Sequence, residues 1–227
     1  MRFPVTSFRL MSAAVAVAAL MSVVPAFADT LAYSDPSGQG KQNWPGNLAL
    51  TFQVNTTIVV DQLGVFNANG TNALTDPGKI TVGIYNNSGV LLTSAVFSSG
   101  NTYATSNSDL LQSITPIVLT AGIYEVDAVG FGNANNNGNL NTGSSTGPTL
   151  NDGGGALTFL GAAWDSSTTL DDPTTCPTCQ SGPAIKQQFD AGTFSFAVAP
   201  APEPSGLVML GTGLLSVATM ARRRFLA

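Results

Sequence analysis

Short apolar runs separated by polar turns fill the chain between Asp29 and Ala201. Eight runs show the two-residue alternation or the β-branched composition of strands, and no part of this span has a sustained helical period. Asn86-Asn87-Ser88-Gly89 joins two of them and is typical of a hairpin turn. This spacing predicts an all-β domain, an antiparallel two-sheet sandwich with jelly-roll-like connections. The eight runs are 47–54, 57–66, 79–85, 90–97, 110–119, 123–131, 156–163 and 193–198.

The segment 132–155 breaks this pattern. It contains seven asparagines and seven glycines, and its only aliphatic side chains are Ala134, Leu140 and Leu150. So few apolar groups cannot offset the entropy of ordering the backbone. We therefore expect a long, mobile Gly/Asn-rich loop within the 29–201 domain, of a length that is often functional.

A longer apolar stretch lies near the N-terminus. Arg2 and Arg9 form a basic region, 10–24 is uncharged and apolar, and Ala26-Phe27-Ala28 places small residues at the two positions that signal peptidase reads. We expect cleavage after Ala28, which makes 1–28 a signal peptide for export. The alternative is an uncleaved N-terminal membrane helix.

A second apolar stretch, 206–221, holds 16 uncharged residues and is followed by the basic cluster Arg222, Arg223 and Arg224. As a helix it would be about 24 Å long, slightly short of the roughly 30 Å hydrocarbon core of a bilayer. Snorkelling of the arginines and local thinning of the bilayer can cover this deficit. The positive-inside rule keeps the basic cluster cytoplasmic, which leaves the 29–201 domain across the membrane.

Pro202-Glu203-Pro204 precedes this stretch, so the C-terminus has a short motif, an apolar helix and an arginine cluster in that order. The order resembles the PEP-CTERM sorting domain, over 202–227. The resemblance implies recognition by exosortase, a membrane cysteine peptidase, and cleavage near the motif. The protein would then reach the cell surface or the exopolysaccharide matrix of a Gram-negative-type bacterium. The alternative is a plain C-terminal membrane anchor.

The central part of the chain carries a second resemblance. Leu63-Gly64-Val65-Phe66, Val82-Gly83-Ile84-Tyr85 and Leu119-Thr120-Ala121-Gly122-Ile123-Tyr124 resemble pieces of an uncharacterised extracellular β-sandwich module that often precedes PEP-CTERM anchors. The resemblance covers roughly 45–131 and implies the fold. It implies no activity, because the matching pieces carry no chemistry.

Charge narrows the set of partners. Between Asp29 and Ala201 there are 3 lysines and 12 acidic residues, so the net charge of this span is 3 − 12 = −9. Such a surface repels phosphate backbones, and we expect no nucleic-acid partner. The chain has no histidine, which removes the commonest general base and the commonest zinc ligand.

Cys176-Pro177-Thr178-Cys179 is the clearest candidate for covalent chemistry. A redox pair needs a helix after the first cysteine, but both flanks here have loop composition. A zinc site needs four ligands and this motif supplies two, unless two chains share a site. The remaining interpretation, which export favours, is a local structural disulfide between Cys176 and Cys179. No metal site is expected from these cysteines.

The acidic residues suggest two further sites. Glu125 and Asp127 lie two apart on a strand and therefore on one face, where paired carboxylates can serve acid–base work on a sugar. Such strand positions more commonly face solvent. Asp165, Asp171 and Asp172 can supply oxygens to Ca²⁺, although no EF-hand-like spacing is present. We expect no obligatory cofactor.

Three functional hypotheses remain. The first is a non-enzymatic structural or adhesive protein of the surface or matrix, which contacts extracellular polysaccharide. The second is a carbohydrate-binding module that uses exposed aromatic side chains, with Ca²⁺ as a possible aid. The third is a glycan-active enzyme using Glu125 and Asp127, for which no complete catalytic constellation is present. The candidate stacking residues, most of which a sandwich would place in its core, are Tyr33, Trp44, Tyr85, Tyr103, Tyr124 and Trp164.

Overall fold

The structure is a computed structural model, which describes residues 29–36, 38–173, 180–182 and 188–199, the third range by its backbone alone. The described residues form fifteen strands and one turn of 3-10 helix at Leu140–Thr142. In chain order the strands are β1 Thr30–Leu31, β2 Tyr33–Ser34, β3 Leu48–Val54, β4 Ile58–Phe66, β5 Lys79–Asn86, β6 Leu91–Ser98, β7 Ala104–Ser106, β8 Asp109–Leu119, β9 Gly122–Val129, β10 Gly138–Asn139, β11 Thr149–Leu150, β12 Leu157–Trp164, β13 Gln180–Gly182, β14 Phe189–Asp190 and β15 Gly192–Val198.

These strands form two main antiparallel sheets and two short ribbons. One main sheet has five strands in the order β1-β15-β4-β8-β7, and the other has six in the order β13-β12-β3-β9-β5-β6. The ribbons are β10-β14 and β11-β2. Every recorded strand pair is antiparallel. The prediction of an all-β, antiparallel fold is therefore confirmed.

A single hydrophobic core joins the two main sheets. Phe52 of β3 and Phe194 of β15 belong to different sheets, yet their ring centroids are 4.7 Å apart. Val126 and Ala128 of β9 face Gly192 of β15 so closely that an added Cβ would lie 3.3 Å from each. The sheets therefore pack face to face, and alternate residues of their strands point into the core, as the period-two pattern requires.

The eight long strands were all predicted, and they are β3, β4, β5, β6, β8, β9, β12 and β15. The other seven are two or three residues long. Such short segments show no periodicity that sequence alone can reveal.

The segment 132–155 is packed more closely than the sequence led us to expect. It contains β10, the 3-10 turn and β11, and Asn135, Asn137 and Asn139 are buried. Asn135 accepts a hydrogen bond from the Thr75 amide at 2.8 Å and donates one to the Thr75 carbonyl at 2.9 Å. The prediction considered only apolar burial, whereas here amide side chains supply the missing backbone partners.

Replacement of Asn135 by alanine tests this explanation. The change removes the buried side chain that now pairs with both the backbone amide and the backbone carbonyl of Thr75. We expect the free energy of unfolding of the protein to fall by about 1–3 kcal/mol, as measured by urea denaturation. Asn141→Ala is the matched control, because this neighbour is exposed and should change stability little. An equal effect of the two variants would contradict the explanation.

The predicted signal peptide, 1–28, and the predicted sorting segment, 202–227, lie outside the described residues, as do Cys176 and Cys179. Over the part of the chain that the structure describes, no helix is long and apolar enough to cross a membrane.

Candidate functional site: a buried acidic pocket on the outer sheet face

Glu125 and Asp127 share one face of β9, as predicted, but that face is covered. Their neighbours Val126 and Ala128 point into the core, so both carboxyl groups point to the outer face of the six-stranded sheet. Glu125 is nevertheless only 3% exposed and Asp127 is 0% exposed. The expectation that such positions face solvent is therefore wrong for this pair.

The cover is the segment 165–173, which follows β12. Leu170 lies over Gly83 of β5, the residue paired directly with Asp127, and a Cβ added to Gly83 would lie 2.8 Å from the Leu170 side chain. Glycine at this position lets the segment approach the sheet. The segment brings Asp165, Asp171 and Asp172 over the strand that carries Glu125 and Asp127. We call these five acidic residues the outer-face acidic pocket.

Asn47 organises the covering segment. It precedes β3, and its side-chain Nδ2 donates to Asp165 Oδ1 at 2.9 Å, to Asp171 Oδ1 at 3.0 Å and to the Thr169 carbonyl at 2.9 Å. The Ser167 carbonyl lies 3.4 Å from the same nitrogen. Asn47 is 0% exposed, so one buried amide nitrogen is surrounded by four oxygens of the covering segment.

Glu125, Asp127 and Asp171 of the pocket resist ionisation. Burial, followed by the charges of Asp172 and Asp127, raises the pKa of Glu125 to about 10. Burial also raises the pKa of Asp127 well above its usual range, and Asp165, Asp171 and Asp172 add to this effect. Burial and the neighbouring Asp165 raise the pKa of Asp171. Each group is therefore stabilised by a proton or by a nearby cation.

Some oxygens of Asp127 and Glu125 have no aligned hydrogen-bond donor. These oxygens are Oδ1 and Oδ2 of Asp127 and Oε1 of Glu125. The other oxygen of Glu125 accepts a long hydrogen bond of 3.4 Å from the Thr51 hydroxyl. The Ala128 amide near Asp127 only partly opposes the rise in its pKa. A glycan cannot reach carboxylates buried in this way, so the geometry does not suit Glu125 and Asp127 to sugar hydrolysis.

A second group of buried acidic residues was not predicted from the sequence. Asp35, Asp109 and Asp190 are 1%, 3% and 2% exposed, and they come from three distant parts of the chain. Burial raises the pKa of Asp109 well above its usual range. Burial, and then the nearby Asp35, raise the pKa of Asp190 to about 7, although the Ser145 hydroxyl opposes the rise.

Glycine at position 138 makes room for this group. Gly138 of β10 pairs with Asp190 of β14, and an added Cβ would lie 1.9 Å from Asp190 Oδ2. The only signal in the sequence is that Asp190 stands between the apolar residues Phe189 and Ala191. That pattern does not reveal which other acidic residues lie nearby.

The candidate stacking residues do not form an exposed platform. Tyr33 and Tyr85 are buried, and Trp44, Tyr103, Tyr124 and Trp164 are half-buried against the core. The exposed large apolar side chains of the described residues are aliphatic, namely Val90, Leu91, Leu92, Val96, Val118 and Ile123. Four of these six lie on or next to β6, an edge strand of the six-stranded sheet.

A surface groove of about 690 Å³ lies beside this edge, between the 100–104 turn and β8. Its lining includes Val96, Asn101, Thr102, Tyr103, Leu111 and Gln112. The Tyr103 hydroxyl is already engaged, since it accepts a hydrogen bond from the Ser98 amide at 2.7 Å. The groove thus offers polar groups and one half-buried ring.

The candidate metal ligands Asp165, Asp171 and Asp172 lie close to one another, but their carboxylates do not form a metal site by themselves. Within the ranges described, no three acidic side chains have the arrangement of a metal site. Comparison of the chain with protein-family models, with curated proteins and with solved structures finds no match.

Proposed function

We propose that this chain is an exported protein of the bacterial cell surface or exopolysaccharide matrix, sorted through its C-terminal segment. The observation that carries the proposal is the order of Pro202-Glu203-Pro204, the apolar stretch 206–221 and the cluster Arg222, Arg223 and Arg224. Signal peptidase would remove 1–28, and exosortase would act near the proline motif. The helix of the sorting segment would hold the protein in the membrane until then.

We propose a structural or adhesive role for the domain, without catalysis. This role is supported by the burial of Glu125 and Asp127, which keeps them away from a large substrate. It is also supported by β6, an edge strand with exposed Leu91, Leu92 and Val96. Proteins that do not associate usually protect such an edge with charge or proline. Jelly-roll-like connectivity and a disulfide between Cys176 and Cys179 remain parts of the proposal.

Carbohydrate binding is the second candidate, and the groove beside β6 favours it. Its polar lining and the Tyr103 ring can contact a sugar through hydrogen bonds and one apolar face. Exposed aromatic rings do not support this hypothesis, because the candidate rings are buried or half-buried.

Glycan-array binding by the exported protein separates the two candidates. If the domain is purely structural, we expect no array glycan to bind in a way that depends on the groove. Under the alternative, binding to a polysaccharide fragment should fall with Gln112→Ala and persist with Gln53→Ala, a control on exposed β3 surface. Binding that follows this pattern would replace the structural role with the carbohydrate-binding one.

A further inference from the structure

The covering segment presents an oxygen at every second residue. Asp165 Oδ1, the Ser167 carbonyl, the Thr169 carbonyl and Asp171 Oδ1 all lie within 2.9–3.4 Å of one point, the Nδ2 atom of Asn47. We call these four atoms the oxygen cage. Carboxylate and backbone carbonyl oxygens at alternating positions of a short segment are the ligands that Ca²⁺ prefers.

A buried carboxylate lies beneath the cage. Asp127 pairs directly with Ala49 of β3, and Asn47 stands two residues before Ala49 on the same outer face. Asn47 and Asp127 are therefore diagonal neighbours whose side chains enter the same space. Asp127 is 0% exposed, and neither of its oxygens has an aligned hydrogen-bond donor. A carboxylate in that state calls for a positively charged partner or a proton.

Basic side chains of the described ranges do not supply this charge. Lys41 and Lys79 are the two basic residues in those ranges, and both are exposed. Lys79 begins β5 four residues before Gly83, the residue opposite Asp127. Four residues of extended strand span roughly 13 Å, which places the Lys79 backbone far from the pocket.

From these observations we infer that the outer-face acidic pocket binds Ca²⁺ through the oxygen cage, with Asp127 beneath it. The Asn47 amide satisfies the cage in the absence of the ion. When Ca²⁺ enters, it takes the place that Nδ2 now holds. The Asn47 side chain withdraws and turns, giving up the long hydrogen bond of 3.4 Å that Oδ1 accepts from the Asp171 amide, so that Oδ1 faces the ion as another oxygen ligand. The bound ion fixes the covering segment 165–173 on the sheet. This inference does not depend on the sorting proposal.

The ligand set distinguishes Ca²⁺ from other ions. The cage combines two carboxylates with two backbone carbonyls, so it differs from a site built from three acidic side chains. A carbonyl-rich loop adapts to the six to eight ligands and variable geometry of Ca²⁺. Mg²⁺ demands a stricter octahedron and keeps its water, so we expect it to bind far more weakly.

The test is thermal unfolding and titration calorimetry of the full chain, purified in a non-ionic detergent at pH 7. We expect a Kd for Ca²⁺ of about 0.1–1 mM, the range of extracellular modules. At a hundredfold excess over Kd, Ca²⁺ should raise Tm by about 5–10 °C relative to EGTA. Absence of both heat and Tm shift, or an equal response to MgCl₂, would overturn the inference.

Two variants locate the ion, and a third is the control. Asp171→Asn removes a cage carboxylate from a partly exposed position. The Ca²⁺ concentration required for a given rise in Tm should therefore increase at least tenfold. Asp152→Asn, an exposed change outside the pocket, should keep the full shift. An undiminished shift in Asp171→Asn would mean that Ca²⁺ acts elsewhere, and the assignment would fail.

Asp127→Asn gives a result that a purely structural pocket would not give. With EGTA, we expect this variant to melt at a higher temperature than the parent protein, because it removes a buried carboxyl group whose ionisation is unfavourable. With Ca²⁺, it should gain less than the parent protein. The two effects have opposite directions, so the difference between the two melting temperatures should shrink or reverse on adding Ca²⁺. A gain from Ca²⁺ equal to that of the parent protein would contradict a role for Asp127 beneath the ion.

Discussion

Deletion of 202–227 is expected to release the protein completely from the membrane fraction and to leave the domain folded. The apolar stretch 206–221 supplies the proposed membrane contact, and nothing in the domain replaces it in the proposal. Among the described residues, the hydrogen bond farthest along the chain is donated by the Ala199 amide to the Thr57 carbonyl at 2.9 Å, one residue after β15 ends. The truncated chain should therefore keep the cooperative melting of the full chain. The measurement is fractionation followed by a melting curve.

A point variant separates anchoring from sorting. Glu203→Ala leaves the apolar stretch unchanged, so the protein should still insert in the membrane, but its processing by exosortase should be impaired. Ser205→Ala is the matched control and should be processed normally. Normal processing of Glu203→Ala would favour a plain anchor over a sorting signal. Non-cooperative melting of the truncated chain would show that the domain extends beyond Ala199.

The second large effect is expected to be an unusual dependence of stability on pH. Asp190 has a folded-state pKa of about 7, raised chiefly by burial and then by Asp35, against about 3.9 in an unfolded chain. The folded state thus favours the protonated form. Its stabilising contribution is complete below about pH 4 and is lost as the pH rises through 7, to a maximum of about 4 kcal/mol. Glu125, with a pKa of about 10, extends the loss to higher pH.

Urea denaturation at several pH values in the presence of EGTA measures this dependence. Asp190→Asn should flatten the decline between about pH 4 and 7, and Glu125→Gln should flatten it across the wider range up to about pH 10. Asp152→Asn, at an exposed position, should leave the profile unchanged. A parent protein whose stability rises toward neutral pH, or an Asp190→Asn profile equal to that of the parent, would contradict this account of the buried acidic residues.

The sequence predicted the sheets better than it predicted the site, and β9 shows why. The alternation around Val126 and Ala128 placed Glu125 and Asp127 on one outer face, and the register confirms it. Their burial depends on the covering segment 165–173, which has no periodic pattern and contacts the sheet through features such as Gly83. Alternation reports the face of a strand, but it does not report what lies against that face.

The same limit explains why the sequence did not predict the buried group of Asp35, Asp109 and Asp190. Each stands at or next to the end of a different strand, and only the strand order of the sheets brings them together. The prediction of a mobile loop at 132–155 had a different weakness. Asparagine side chains there supply hydrogen bonds to the backbone, whereas composition alone indicates only polar residues that face solvent. Polar networks depend on three-dimensional pairing, which one sequence does not reveal.

Mass spectrometry of the mature protein from a host with exosortase, beside the same host without it, tests the central proposal most directly. We predict an N-terminus at Asp29 in both hosts. Only in the host that has exosortase do we predict loss of the C-terminal segment, by cleavage near Pro202-Glu203-Pro204. A protein that retains 10–24 would contradict export by signal cleavage. A C-terminus that is the same in both hosts would contradict sorting by exosortase.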